Sequence, residues 1–232
     1  MASIVCSCSK NVGENIKCCE CGTCMIKYGK DSRQKQRYFC KKCYKTKVEF
    51  YTYKAYKQEI NQNIIALTKE GVGILGTARL LSISPTTLLK RIKQIASKIT
   101  QPAISIGKTY EIDEMRTFIS NKNKLIWIVY ALEKESKKIV SFNVGARTNK
   151  TLSMVIETLM LSSPKMIYTD KLKNYKYLIE SEIHNTKNRA TNSIERMNLT
   201  LRTHLKRLNR RTIAISKSTV MLSAILRIYF WG

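Results

Sequence analysis

The 232-residue chain carries 42 Lys and Arg against 16 Asp and Glu, a net charge of +26, and is 44% hydrophobic. That length suits two or three compact units with a real core. The charge calls for a polyanion, because Lys and Arg that neutralise phosphates release condensed counterions. All eight cysteines lie between Cys6 and Cys43, which argues against a secreted disulfide scaffold and for metal binding in a reducing compartment. Residues 1–10 lack an apolar stretch long enough for a signal peptide. Thr219–Trp231 is interrupted by Arg227 and falls short of the roughly 20 residues a membrane span needs. It reads as a terminal packing helix, and no membrane partner is expected.

Residues 1–52 read as a zinc ribbon. Cys18-x-x-Cys21 and Cys40-x-x-Cys43 stand about twenty residues apart, and each pair aims two thiolates at one tetrahedral ion. Gly22 suits the left-handed turn that such a pair makes. Lys27–Lys30 is expected as the hairpin and Arg37–Phe39 as the returning strand. Cys21-x-x-Cys24 is a competing first pair. Cys6 and Cys8 read as spare thiols, and Cys19 and Cys24 as filler. A unit this small has too little core to fold without its metal.

Residues 53–102 read as a helix-turn-helix. Ala78, Leu81 and Ile83 are apolar where two helices must meet, and Ser84-Pro85 is an N-cap followed by a first-turn proline. Leu88, Leu89 and Ile92 form the inward stripe. That leaves Thr86, Thr87, Lys90 and Arg91, with Arg79 on the preceding helix, as the DNA-contacting set. An ordinary helical spacer is the plainer alternative.

Residues 103–232 change period. Thr109–Met115 alternates as a strand, Leu125–Leu132 is a continuously apolar strand, and Ile139–Val144 is a third. A helix follows over Thr148–Leu161, then a strand over Lys165–Asp170, a short helix over Tyr175–Leu178, a fifth strand near Ile183 and a long helix from Ser193. This is the ribonuclease-H-like order, an α/β fold with a mixed sheet and flanking helices. Two-metal phosphoryl transfer needs several carboxylates converging on divalent ions about 3.5–4 Å apart. Asp113 and Asp170 fall on strands that this order makes neighbours, and Glu195 on the first turn of the last helix. Ile194, Met197, Leu201, Leu205 and Leu208 make an apolar stripe on that helix. Glu195, Asn198, Arg202, Lys206 and Asn209 make the polar stripe beside it. Singly, the acids have structural readings: Asp170 as a helix cap, Asn192 with Glu195 as a capping box, Asp113 and Glu114 as an exposed strand end.

Several of these motifs, in this order, resemble the insertion-sequence-one family of transposases. The resemblance runs through the cysteine ribbon with Gln36–Cys43, Gly71-Val72-Gly73 with Thr77-Ala78-Arg79, and Glu111–Met115. It continues with Val144–Thr148, Tyr168-Thr169-Asp170 and Ile194–Leu199. Leu201-Arg202, Lys206-Arg207-Leu208, Arg211-Thr212-Ile213 and Ser216-Lys217-Ser218 complete it. The chain departs from the family pattern at Met115-Arg116 and Lys171-Leu172, where tryptophan-bearing pairs are usual. The resemblance implies an Asp-Asp-Glu transposase that recognises terminal inverted repeats, cuts 3′ ends and joins them to target DNA. Asp113, Asp170 and Glu195 would be the catalytic acids, holding Mg²⁺ or Mn²⁺, with structural Zn²⁺ on Cys18, Cys21, Cys40 and Cys43. Arg202 and Lys206 would position the DNA backbone. Double-stranded DNA is the expected partner, with a homodimer or higher oligomer on paired ends and the C-terminal helix as one candidate interface. The expected location is the nucleoid-associated cytoplasm of a bacterial or archaeal cell. A catalytically inert DNA-binding regulator and a different ribonuclease-H-like nuclease are the alternatives.

Overall fold

The computed structural model describes residues 16–48, 55, 59–186 and 191–232. Cys6, Cys8 and the leader question at residues 1–10 lie outside them. The chain forms two compact units, 1–53 and 54–232.

In the first unit, β1 (Ile26–Lys30), β2 (Gln36–Phe39) and β3 (Thr46–Val48) form an antiparallel meander. The hairpin turn lies at residues 31–35, not at Lys27–Lys30, which belong to β1. Asp31 decides this: its Oδ1 accepts from the backbone N–H groups of Arg33 and Lys35 at 2.8 and 2.9 Å, closing the turn on its own side chain. Gly29, at φ +64, sits in a bulge of β1. The core is minimal: Cys18, Met25 and Cys40 are buried, whereas every residue of β1 is exposed.

The second unit is built on a five-stranded mixed sheet in the order β6-β5-β4-β7-β8. β4 (Thr109–Ile119), β5 (Asn121–Glu133) and β6 (Ile139–Gly145) are antiparallel, while β7 (Met166–Tyr168) and β8 (His184–Asn185) run parallel to β4. This is the ribonuclease-H-like arrangement. One sheet face buries Tyr110, Ile112, Val129 and Ile167 under α4 (Asn149–Met160) and α5 (Tyr175–Leu178). The other buries Met115, Ile128, Tyr130 and Leu132 under α6 (Asn192–His204) and α7 (Thr219–Trp231).

The helix-turn-helix shares this second core. It comprises α1 (Ile60–Lys69), α2 (Ile74–Leu81) and α3 (Pro85–Lys98). Ser84 caps α3 by accepting from the Thr87 N–H at 3.1 Å, with Pro85 in the first turn, and Ser82 makes the left-handed turn at φ 52. α7 packs on α1, α3 and β6 together, burying Met221, Leu222, Ala224, Ile225, Leu226 and Ile228. The C-terminal helix thus ties residues 60–98 to the sheet. A second tie is Gly71, at φ +70, where an added Cβ would meet the His204 carbonyl oxygen at 2.2 Å. Among the described residues no helix is long and apolar enough to cross a membrane.

Candidate active site

β4 pairs with β7 only over Thr109–Glu111, so beyond Glu111 the β7 side of β4 is open. Asp113 and Glu114 follow at once. Adjacent strand residues point to opposite faces, yet at an open edge both side chains can reach round it. Asp170 stands two residues past the end of β7 and meets them there. One carboxylate oxygen from each of Asp113, Glu114 and Asp170 lies within 4.8 Å of the others.

The three acids differ in setting. Asp113 Oδ1 accepts from the Glu114 N–H at 2.8 Å and Oδ2 from Asn198 Nδ2 at 2.5 Å. Burial pushes its carboxyl up to about 6, with the Glu114 and Asp170 charges adding, against the two hydrogen bonds. Glu114 is buried, accepting from Tyr175 Oη at 2.5 Å and Arg147 Nη2 at 3.2 Å. Burial raises its carboxyl too, opposed by the Tyr175 and Arg147 bonds. The Arg147 guanidinium also lies over the Trp127 ring, 4.5 Å from its centre. Asp170 is exposed and accepts from the Leu172 N–H at 3.0 Å.

Helix α6 lies across the Asp113 side. Its N-terminal Ile194 N–H donates to Glu111 Oε2 at 2.9 Å, a buried carboxylate on a helix N-terminus, where the macrodipole favours negative charge. The other Glu111 oxygen faces Lys134 Nζ at 3.9 Å. Tyr130 Oη donates toward Asn198 Oδ1 at 2.8 Å and the Ile194 carbonyl at 3.2 Å. Tyr130, Asn198 and Asp113 therefore form one hydrogen-bonded chain from the core to the site.

Asp113 and Asp170 are brought together as expected from the strand order. Glu195 is not in that group. It is exposed on the first turn of α6, where Thr191 Oγ1 donates to it at 3.2 Å. It shares a helix face with Asn198, three residues on, and so stands one turn from the Asp113 contact. The N-cap is Thr191, not Asn192, so the expected capping box does not form. The apolar stripe also breaks: α6 ends at His204, and Lys206–Leu208 forms a 3-10 turn. Arg202 is half-buried, with no partner for its Nε. Burial lowers its guanidinium, the nearby Arg210 charge adds, and Asp113 opposes. Lys206 is exposed.

Glu114, Asn198, Tyr130 and Glu111 were not assigned to the site from sequence. Glu114 did carry a signal: strand alternation puts a carboxylate on the apolar face of Tyr110 and Ile112, where it needs partners. Asn198 was visible as the residue one turn after Glu195.

In the first unit, the sulfurs of Cys18, Cys21, Cys40 and Cys43 lie within 4.8 Å of one another, while Cys19 and Cys24 are exposed. The two turns match. The Gly22 N–H donates to the Cys18 carbonyl at 3.0 Å and the Tyr44 N–H to the Cys40 carbonyl at 2.9 Å, with Gly22 at φ +67 and Tyr44 at φ +56. Hydrogen bonding at Thr23 lowers the Cys21 thiol to about 6.

On the helix-turn-helix, Arg79, Thr86 and Lys90 are exposed and Thr87 half-exposed. Arg91 Nη2 donates to the Ala55 carbonyl at 3.0 Å, so part of its guanidinium is committed within the protein.

A family model described as IS1 transposase matches residues 107–230, more than half of the chain. The chain is 30% identical over 144 residues to the insertion element IS1 9 protein InsB of Escherichia coli (strain K12), covering 62% of this chain and 86% of that protein. The same identity and coverages hold for the insertion element IS1 protein InsB of Haemophilus ducreyi. The HTLV-2 integrase catalytic core domain, solved in complex with magnesium in a trimeric form, is a remote likeness: 14% identity, 55% of this chain, 86% of that chain and a TM-score of 0.32.

Proposed function

The chain belongs to the IS1 transposase family, and on that footing we propose that this DNA transposase recognises the terminal inverted repeats of its element, cleaves their 3′ ends and joins them to target DNA. The observation that carries the reading is the convergence of Asp113, Glu114 and Asp170 at the open edge of β4, with α6 delivering Asn198 to Asp113. Asp113, Asp170 and Glu195 are the catalytic acids in this reading. Glu195 joins them from one helical turn away, and Glu114, tied to Tyr175 and Arg147, supports the group from behind.

The donor sets fit the metals proposed. Tetrahedral zinc with Zn–S of about 2.3 Å sets S···S near 3.8 Å. Cys18–Cys43, Cys21–Cys40 and Cys21–Cys43 stand at 3.3, 3.4 and 3.7 Å. Hard carboxylate oxygens suit Mg²⁺ or Mn²⁺, which when bound would activate the attacking oxygen and neutralise the charge of the phosphoryl group in flight. The protein's own contribution is position. Asn198, held by Tyr130, fixes Asp113 Oδ2, and the backbone of Glu114 fixes Oδ1. Arg202 and Lys206 extend from the acids along the α6 side and hold the phosphate backbone near them. Thr86, Thr87 and Lys90, with Arg79, contact the terminal repeat from α3 and α2.

An inert regulator is not favoured, because the acids are retained and Asp113, Glu114 and Asp170 converge in one cluster, as two-metal phosphoryl transfer requires. Paired ends call for a homodimer or higher oligomer, working on the nucleoid in the cytoplasm. The test is strand transfer in vitro: labelled element ends, a supercoiled target plasmid, Mg²⁺ or Mn²⁺, and the chain beside Asp113→Asn and Glu195→Gln. Joined product from the chain and none from either variant is expected. Unimpaired joining by Glu195→Gln would remove that residue from the acid set.

A further inference from the structure

After the 3-10 turn, residues 209–217 form no regular element, yet the segment is fastened on either side to β4 and the turn that follows it. Thr117 Oγ1 donates to the Arg207 carbonyl at 3.5 Å, and the Ser120 N–H to the Ser216 carbonyl at 2.8 Å. Ser216 also bridges to Ile119, and Arg207 Nη1 donates to Ser216 Oγ at 3.2 Å, closing the base of the loop. Within it, Asn209 Oδ1 accepts from the Arg211 N–H at 3.1 Å and Thr212 Oγ1 from the Ala214 N–H at 2.9 Å. Short polar side chains that satisfy their own backbone in this way stiffen a turn. At its crest Ile213 is 96% exposed, more than any other large apolar side chain among the described residues.

The segment carries positive charge and no acid. Arg210, Arg211 and Lys217 are exposed beside Ile213, and the chain contains no Asp or Glu after Glu195. The charge of Arg210 reaches Arg202, which in turn neighbours Asp113. The anchor Thr117 lies four residues beyond Asp113, roughly 13 Å along β4 at about 3.3 Å per residue, and Ser120 stands in the turn just past the end of that strand. An aliphatic tip in a braced loop, with Arg210 and Arg211 before it and Lys217 after it, is what entry between two base pairs requires. The apolar side chain fills the unstacked step, the arginines take the flanking phosphates, and the duplex kinks.

We propose that Ile213 is a wedge that enters a base step of the target duplex, with Arg210 and Arg211 on the adjoining phosphates, and so kinks that duplex beside the acidic site. The proposal rests on the transposase reading above. A wedge selects for deformability and not for base identity, whereas α3 offers side chains for reading a defined sequence.

The full chain is compared with Ile213→Ala and Ile213→Met. Three readouts are taken: 3′-end cleavage of an end oligonucleotide, joining to an intact or a tandem-mismatched target, and fluorescence of 2-aminopurine in end-free duplex. Ile213→Ala should cut as well as the original chain but join to intact target about tenfold less, with the loss largely relieved by the mismatch, whose unstacking cost is already met. Ile213→Met should join nearly normally. Equal joining by Ile213→Ala, an equal loss of cleavage, or a loss the mismatch does not relieve would overturn the wedge. If the original chain neither cuts nor joins, the transposase reading fails and fluorescence decides. A rise with the original chain and Ile213→Met but not Ile213→Ala keeps the wedge, and no rise with the original chain removes it.

Discussion

The two ligand clusters of this protein stand in opposite relation to their own units. In residues 16–48 the four thiols are the interior: Cys18 and Cys40 are buried with Met25, and the first strand is exposed throughout. In residues 54–232 the acids sit at the rim of a sheet with large apolar cores on both faces. Burial there makes Asp113 harder to ionise. A cluster that replaces a core is structural. A cluster whose charges the fold resists is a candidate for chemistry.

The largest effect should come from denying the thiol cluster the zinc proposed for it. Chelation, or Cys40→Ser, should unfold residues 16–48 entirely while 54–232 keeps its melting transition, as followed by limited proteolysis and circular dichroism. Simultaneous melting of both would dissolve the contrast. Next, Asp113→Asn should lower strand transfer by about a thousandfold or more, a loss of roughly 4 kcal/mol of transition-state stabilisation.

The same variant should gain stability in the absence of divalent ions. Folded Asp113 keeps its proton to about 6 against an ordinary 3.8. The fold therefore binds the extra proton between those values, and stability falls as pH rises from about 4 to about 6. Asp113→Asn escapes that fall. Its advantage should be about 1–3 kcal/mol at pH 7.5 and vanish below pH 4, by denaturation in EDTA. A constant difference across that range would refute the burial argument. Mg²⁺ at about 100 times its Kd should restore roughly 2.7 kcal/mol to the original chain and none to the variant.

Gly71→Ala tests whether the helix-turn-helix and the catalytic core are one body. The left-handed backbone and the His204 carbonyl both oppose a Cβ, so a loss of about 1–3 kcal/mol is expected across the whole second unit. Melting of α1–α3 alone would separate them. The smallest effect should be Tyr130→Phe, which leaves the Asn198 carbonyl without its donor. Joining should fall by about fivefold to tenfold with end binding intact.

Strands β5 and β6, helix α4 after them and the cap at Ser84 were legible because they are local: period, run length and capping chemistry specify them without reference to the rest of the chain. The cysteine turns were legible for the same reason, since Cys-x-x-Cys fixes a turn by itself. The hairpin at residues 31–35 was missed because the choice rested on Asp31 folding back on its own backbone rather than on the glycine nearby. The end of α6 was missed because Leu205 and Leu208 keep helical spacing after the backbone has left the helix.

The sequence by itself determined the chain's strong positive charge, the Cys-x-x-Cys turns and the order of strands that puts Asp113 near Asp170, all of which follow from composition, spacing and succession. Only the tertiary structure decided that Glu114 joins them, that Glu195 stands a turn away while Asn198 makes the contact, and that α7 binds the helix-turn-helix to the sheet. Those outcomes depend on where β7 stops pairing with β4 and on what that open edge lets side chains reach. Such distances are set between residues far apart in the chain, where no local periodicity records them.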